Sequence, residues 1–393
     1  MVEKRGIGDV ALRGRRVLLR VDFNVPQDPS GQVADDRRIQ EALPTLHHLQ
    51  TSGARTILLS HLGRPDGHRD PRFSLKPVAR RLSSLLGLPV PLADDIVGIH
   101  ALEMSARVEN GQFLMLENLR FNPGEEANDP AFASQLARLG DLFVQDAFGV
   151  LHREHASTVG VPKRLPSVAG LLVSREVREL SRLVDAPARP YVVIVGGAKV
   201  TDKLPLLTSL AGRADALLLG GALSFPFLAA AGHGLGASRV EAGLEPNVAG
   251  LLTAAKNAGS EVVLPIDLVV DRPGGAAPEV VDVGAVPADA TARDIGPATR
   301  ERFLRTLASS RTVFWNGPLG QAEDPRYADG TREVLSGLRS VPGYHVGAGG
   351  DSARVARELG VMESFQFVST GGGAALEFVE GLELPGLAVL PNA

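Results

Sequence analysis

The chain has no cysteine, so it can build neither a disulfide framework nor a thiolate zinc site, and no thiol is there to act as a nucleophile. Aromatic residues are few, at 5% with a single tryptophan, while 44% hydrophobic and 22% charged residues are ordinary for a globular enzyme. No apolar run approaches the ~18 residues of a membrane span. The first residues, MVEKRGIGDVALRGRR, show no apolar core with a small-residue cleavage site, so a cytoplasmic protein away from the membrane is expected. A cationic excess is missing too. The net charge of −4 disfavours a broad nucleic-acid-binding face, although a local cationic cleft can coexist with it. Three signatures are also absent: G-x-x-x-x-G-K-[ST], an H-R-D loop followed by D-F-G, and a compact G-x-G-x-x-G with an acid ~20 residues on. Their absence sets aside a P-loop enzyme, a protein kinase and a nicotinamide dehydrogenase.

Lysine is scarce. Basic residues are overwhelmingly arginine, yet Lys199 and Lys203 stand four apart while the other lysines, Lys4, Lys76, Lys163 and Lys256, are scattered. They follow residues 192–195, VVIV, a β-branched run of the kind found in a strand covered on both faces, which Gly196 and Gly197 end abruptly. The composition predicts a helix from Ala198 to Pro205, placing both lysines one turn apart beside helix N-terminal amides that favour anions. An ordinary turn with a solvated first helical turn is the plainer reading of the glycine pair alone.

A chain of 393 residues exceeds what one core usually supports, so two domains of roughly 200 residues are expected. In the first half, strands are predicted at 15–21, 56–59, 88–92, 112–116 and 141–144, with helices at 35–50, 75–86 and 132–139. Their exits collect polar residues: Asp22 and Asn24, then His61 and Arg64, then Arg120, then His152, Arg153 and His155, with Arg38 on the first helix. In the second half, strands at 192–195, 216–219, 261–264, 312–315, 344–346 and 365–368 run into Gly196-Gly197, Gly220-Gly221, Asp267, Asn316-Gly317-Pro318, Gly349-Gly350-Asp351-Ser352 and Gly371 to Gly373. Alternating strands and helices predict an α/β fold of two doubly wound, parallel-sheet, Rossmann-like domains. They would be joined by a helical hinge at 173–186 before a proline-bearing break.

Ligands of such sheets bind outside the carboxyl ends of the strands, where these residues collect. Planar guanidinium groups in the first half suit a small polyanion. Glycine loops and one carboxylate in the second half suit a nucleotide whose phosphates approach backbone amides and carry a metal. Several residues have a bland alternative. Arg38 alone reads as a surface arginine, Asp351 as an N-cap, His155 as a loop cap, and Trp315 as core. The arginines and histidines as a set, with few acids beside them, are harder to read as decoration.

The runs RVDFNVP, SHLGRPDG, ENLRF, DAFG with the following HR, GGAKVTDK, WNGP, GGDS and STGGGA together resemble the phosphoglycerate kinase family, in its order and along nearly the whole chain. The resemblance implies reversible phosphoryl transfer between ATP and the carboxylate of 3-phospho-D-glycerate, giving ADP and 1,3-bisphosphoglycerate. It implies that Asp22, Asn24, Arg38, His61, Arg64, Arg120 and Arg153 hold the phosphoglycerate, supported by His152. On the nucleotide side it implies Gly196, Gly197, Lys199, Lys203, Gly220, Gly221, Asn316, Pro318, Gly349, Gly350 and Ser352, with Glu323 at the ribose and Asp351 at Mg²⁺. Arg38, Lys199, Lys203, Gly350 and Gly373 would act at the transferred group.

The proline-bearing break predicts a first domain over residues 1–172 and a second over 187–381, and the family pattern also implies a return of residues 382–393 to the first domain. It further implies a monomer whose partners are these small molecules alone, without nucleic acid or membrane. Ala222 and Ala348 stand where the family commonly has glycine, which predicts a tighter adenine side. A non-catalytic two-lobe binding protein for a phosphorylated metabolite is the alternative, and it would need neither Lys199 nor Asp351.

Overall fold

The computed structural model describes residues 3–274 and 277–393. They fall into two compact units: one runs to Glu179 and resumes at Glu383–Ala393, and the other is Leu180–Leu382. The division falls within the helix Leu171–Val184.

The first unit carries a five-stranded sheet of β1 (Arg16–Arg20), β2 (Arg55–Leu59), β3 (Phe113–Met115), β4 (Leu142–Gln145) and β5 (Ser167–Ala169), in the order β3-β2-β1-β4-β5. Every pairing is parallel, with Leu18 level with Ile57 on one side and Phe143 on the other. Period-two alternation divides its side chains between two cores. Val17, Leu19, Leu58, Phe113, Met115 and Val144 pack with helices Arg37–Thr51 and Lys76–Leu86, while Leu18, Ile57, Leu59, Leu114 and Phe143 pack with Phe132 and Leu136 of the helix Pro130–Ala137. In Arg37–Thr51 the buried residues Ile39, Ala42, Leu46 and Leu49 recur at helical spacing, which fixes the helix on the sheet with Arg38 beside the strand exits.

Residues 88–92 do not form the predicted strand. Pro89 and Pro91 lack the N–H groups a ladder needs, so the segment makes one isolated bridge, Leu92 to Met115, with Met115 N–H donating to Pro91 O at 2.8 Å. The helix Ile99–Arg107 was not expected from the sequence; it follows this segment.

The second unit holds a six-stranded sheet of β6 (Tyr191–Val195), β7 (Ala216–Leu219), β8 (Glu261–Val263), β12 (Thr312–Asn316), β13 (Tyr344–Gly347) and β14 (Phe367–Val368), in the order β14-β13-β12-β6-β7-β8 and parallel throughout. Trp315 is fully buried in its core and stacks on Phe365 with centroids 5.3 Å apart. A second, antiparallel sheet of β9 (Asp267–Asp271), β10 (Glu279–Asp282) and β11 (Thr291–Ile295) was not predicted. It has its own small core of Phe225, Leu228, Leu268, Val270 and Ala292, and its β10 edge is mostly solvated, so hydrophobic patterning there is faint.

Candidate active site

Because the first sheet is parallel, the exits of β1 to β4 lie on one edge. Asp22 follows β1 and its carboxylate pairs with Arg38 in the first turn of its helix, while His61 Nδ1, after β2, lies 4.0 Å from Asp22 Oδ1. Asn24 Oδ1 accepts from Gly63 N–H at 2.9 Å, and the Arg120 guanidinium donates to Gly63 O at 2.7 Å, so one residue of the β2 exit is tied to the β1 and β3 exits together. Gly63 has φ +62°, and a Cβ there would sit 2.3 Å from the Phe73 ring, which excludes any larger residue. Asn118 completes the frame: its Oδ1 accepts from Leu62 and Arg120 N–H, and its amide donates to Leu62 O and Phe73 O.

Positive charge is concentrated here. Arg120 is 4% exposed, and burial lowers its proton affinity, with Arg153 and Arg64 pushing the same way against Glu126 and Glu125. Burial first, and then Arg20, Arg120 and Arg38, hold His61 well below the usual imidazole range. His155 is pushed to about 4 by burial, Arg120, Arg20, Arg153 and His152. Both rings are therefore neutral at pH 7. Thus Asp22, Asn24, Arg38, His61 and Arg120 share one network, the charges of Arg64 and Arg153 reach it at Arg120, and His152 neighbours His155.

Sequence reasoning missed the layer beneath. Arg20, Ser157 and Glu125 are buried side by side, with Ser157 N–H and Oγ–H donating to the Glu125 carboxylate at 3.0 and 2.5 Å and Arg20 Nε–H donating to Ser157 Oγ at 2.8 Å. The available signal was the arginine itself, a charge in a strand apolar on both faces.

In the second unit the exits of β6, β7 and β12 press their backbones together. A Cβ on Gly196 would lie 1.9 Å from Pro318 O, and one on Gly317, at φ +85°, 2.3 Å from Gly196 O. Only bare backbone fits between these loops. They border a pocket of about 310 Å³ lined among others by Gly197, Gly221, Ala222, Pro318 and Glu323. Ala222 is thus on its wall, whereas Ala348 is buried and its carbonyl accepts from the Asn316 amide at 2.7 Å.

The helix predicted from Ala198 is corrected. Residues 198–200 are loop, a 3₁₀ turn spans Thr201–Lys203, and the α-helix is Leu204–Ala211, with Pro205 in its first turn. Proline was read as ending a helix, but its missing N–H and fixed φ suit a helix start. The carboxylate of Glu241, also missed, takes the Val200 N–H and the Thr201 hydroxyl and so holds this loop. Lys199 is exposed; Lys203 is partly buried and its ammonium donates to Asn316 Oδ1. Burial lowers the Lys203 pKa, while Asp351, Asp202 and Glu380 pull it back up.

Ser352 Oγ accepts from Gly317 N–H at 2.8 Å, joining the β12 and β13 exits. Gly349, at φ +105°, leads into the helix Gly350–Glu358, so Asp351 lies within the first turn and is not its N-cap. The Asp351 side chain is 85% exposed. Gly373 begins the helix Gly373–Glu380. Among the described residues no group of three or more His, Asp or Glu side chains is disposed to hold a metal. A lone exposed carboxylate fits Mg²⁺, which keeps several waters and takes phosphate oxygens for its other positions.

The family profile described as phosphoglycerate kinase matches residues 7–382. The phosphoglycerate kinase of Desulforudis audaxviator is 48% identical over 391 residues, covering 99% of this chain and 99% of that protein. That of Rubrobacter xylanophilus is 48% identical over 393 residues, covering 100% and 99%. The solved structure of phosphoglycerate kinase from Coxiella burnetii matches with a TM-score of 0.90 at 36% identity, covering 98% of each chain.

Proposed function

The chain belongs to the phosphoglycerate kinase family, and from that premise we propose how its own residues carry the transfer of a phosphoryl group between ATP and 3-phosphoglycerate. The basic edge of the first unit takes the phosphoglycerate, through Asp22, Asn24, Arg38, His61, Arg64, Arg120 and Arg153, with His152 in support. The glycine edge of the second takes the nucleotide: Gly196, Gly197, Gly220, Gly221, Pro318 and Glu323 around the pocket, and Lys199, Lys203, Asn316, Gly349, Gly350, Ser352 and Gly373 at the phosphates.

One observation carries the reading. The basic edge is built from permanently charged guanidinium groups, with His61 and His155 both held neutral, so what it offers is mainly strong hydrogen-bond donors. That matches a carboxylate acceptor, already ionised at neutral pH, from which no proton need be removed. The work left is to hold two polyanions in line and offset the charge spreading over the transferred group. Arg38 does this on the acceptor side, and Lys199 and Lys203 on the donor side. Asp351 would hold Mg²⁺, whose charge offsets that of the phosphate oxygens.

Transfer requires the acceptor and donor surfaces to meet, with residues 173–186 as the hinge, and water to be expelled. The reading includes a cytoplasmic monomer without nucleic acid or membrane as partner, in keeping with a net charge of −4. A non-catalytic binding protein is not favoured, since the full-length relatives are phosphoglycerate kinases.

A coupled assay of ATP-dependent phosphorylation of 3-phosphoglycerate, run over a magnesium titration, tests the proposal. Activity is expected only with magnesium. Asp351→Ala is expected to weaken Mg-nucleotide binding about 10-fold or more, as loss of one charged ligand should, with the 3-phosphoglycerate Kd unchanged. Normal Mg-nucleotide affinity in that variant would refute the role of Asp351.

A further inference from the structure

The buried layer behind the basic edge is not accounted for by substrate contact. Arg20 is 1% exposed and each of its three guanidinium nitrogens has a partner within the protein: Nε–H donates to Ser157 Oγ at 2.8 Å, one terminal nitrogen donates to Val21 O, and the other lies 3.2 Å from His61 Nδ1. Burying this charge is costly, so its placement calls for a reason. The directions of these bonds are decided by chemistry. A guanidinium has donors and no acceptor, so His61 Nδ1 must receive the bond and be bare of hydrogen. In a neutral ring the proton then sits on Nε2. Asp22 Oδ1, at 4.0 Å from Nδ1, is too far to compete as a hydrogen-bond acceptor. Ser157 spends its own hydroxyl hydrogen on Glu125, at 2.5 Å, and so turns a lone pair to Arg20.

We propose that Arg20 is a positioning residue that fixes His61 as its Nε2–H tautomer, so that His61 meets the substrate as a neutral hydrogen-bond donor. The proposal rests on the reading above that this edge takes 3-phosphoglycerate. The opposite tautomer would turn a lone pair towards an anion and repel it. An imidazolium would add one more charge beside Arg38, Arg64, Arg120 and Arg153, and burial together with those neighbours opposes it. Arg20 thus supplies direction without touching the substrate. Ser157, anchored by Glu125, holds Arg20 at the angle this requires.

The direct test is long-range ¹H–¹⁵N correlation of the His61 ring in the ligand-free protein at neutral pH, assigned by comparison with His61→Gln. The expected signature is a protonated Nε2 and a bare Nδ1; a protonated Nδ1 or an imidazolium would overturn the lock. Kinetics supply an independent arm, because a glutamine amide reaches the place of Nε2 and an asparagine amide that of Nδ1. His61→Gln is expected to keep the KM for 3-phosphoglycerate within about threefold and His61→Asn to raise it about tenfold or more. An Nε2–H ring with KM unchanged in both variants would overturn the placing of His61 against the substrate, and leave the lock itself standing. Arg20→Met should let both tautomers appear. Ser157→Ala, which keeps the Arg20 charge and is the milder change to the core, should mix the His61 tautomers and raise KM about tenfold with kcat within about twofold. A pure Nε2–H signal and unchanged KM in Ser157→Ala would contradict the role given to that anchor.

Discussion

Arg38→Ala is expected to lower kcat by about 10²- to 10³-fold while the Mg-nucleotide Kd moves by less than about twofold. Two unit charges ~4 Å apart interact by about 4 kcal/mol at an effective dielectric of 20, and partial exposure of Arg38 trims this towards ~3 kcal/mol, which sets that range. A second effect acts in the same direction. Arg38 pairs with Asp22, whose side chain is only 10% exposed, so its removal leaves a shielded carboxylate with Arg20 as its cationic neighbour from the strand and less well compensated beside an anionic substrate. The double variant Asp22→Asn with Arg38→Ala should therefore recover part of the loss, the mark of coupled neighbours. Steady-state kinetics and calorimetric nucleotide titration check both parts. An equal loss of nucleotide affinity in Arg38→Ala would remove Arg38 from the acceptor side.

Lys203→Met is expected to separate function from stability. The substitution keeps the length of the side chain and removes an ammonium that burial disfavours, so the fold is relieved of a desolvated charge. Against this, Asn316 Oδ1 loses its donor, at a cost of about 1 kcal/mol. The two nearly cancel, and the unfolding free energy should change by no more than ~1 kcal/mol. Catalysis has no such compensation: kcat/KM for ATP should fall about 10²-fold, since the ammonium is shielded from water where its charge acts at low effective dielectric. Lys199→Met, at an exposed position, should fall less far. A Lys203→Met protein that is strongly destabilised yet active would reverse this assignment.

Much of the basic edge was legible in the sequence because apolar strands end there in polar runs, and a parallel sheet brings such ends to one side. Asp22, Asn24, His61 and Arg120 follow that logic. What lies one layer deeper did not show. Arg20 stands out in the sequence only as a charge in an apolar strand, and its partners Ser157 and Glu125 come from segments more than 100 residues away. Glu241 likewise holds the lysine loop from 40 residues away in sequence. Local signals were also misread where proline was involved. Pro205 opens a helix that the composition had begun at Ala198, and Pro89 and Pro91 prevent the ladder that residues 88–92 were expected to join. The β9–β11 sheet escaped because its solvated edge strand has neither alternation nor a buried run. For Arg20 and Glu241 the deciding contact is tertiary, and patterning reports only on the chain's near neighbours.

The central claim is that each substrate has its own unit, with the arginine-lined edge for one and the glycine-lined edge for the other. Amide hydrogen exchange with each ligand added alone tests it most directly. 3-Phosphoglycerate should protect the segments holding Asp22, His61 and Arg120 and leave those holding Gly197, Lys203 and Asp351 unchanged, and Mg-ADP should do the converse. Protection of the Asp22, His61 and Arg120 segments by Mg-ADP alone, with none in the glycine loops, would contradict it.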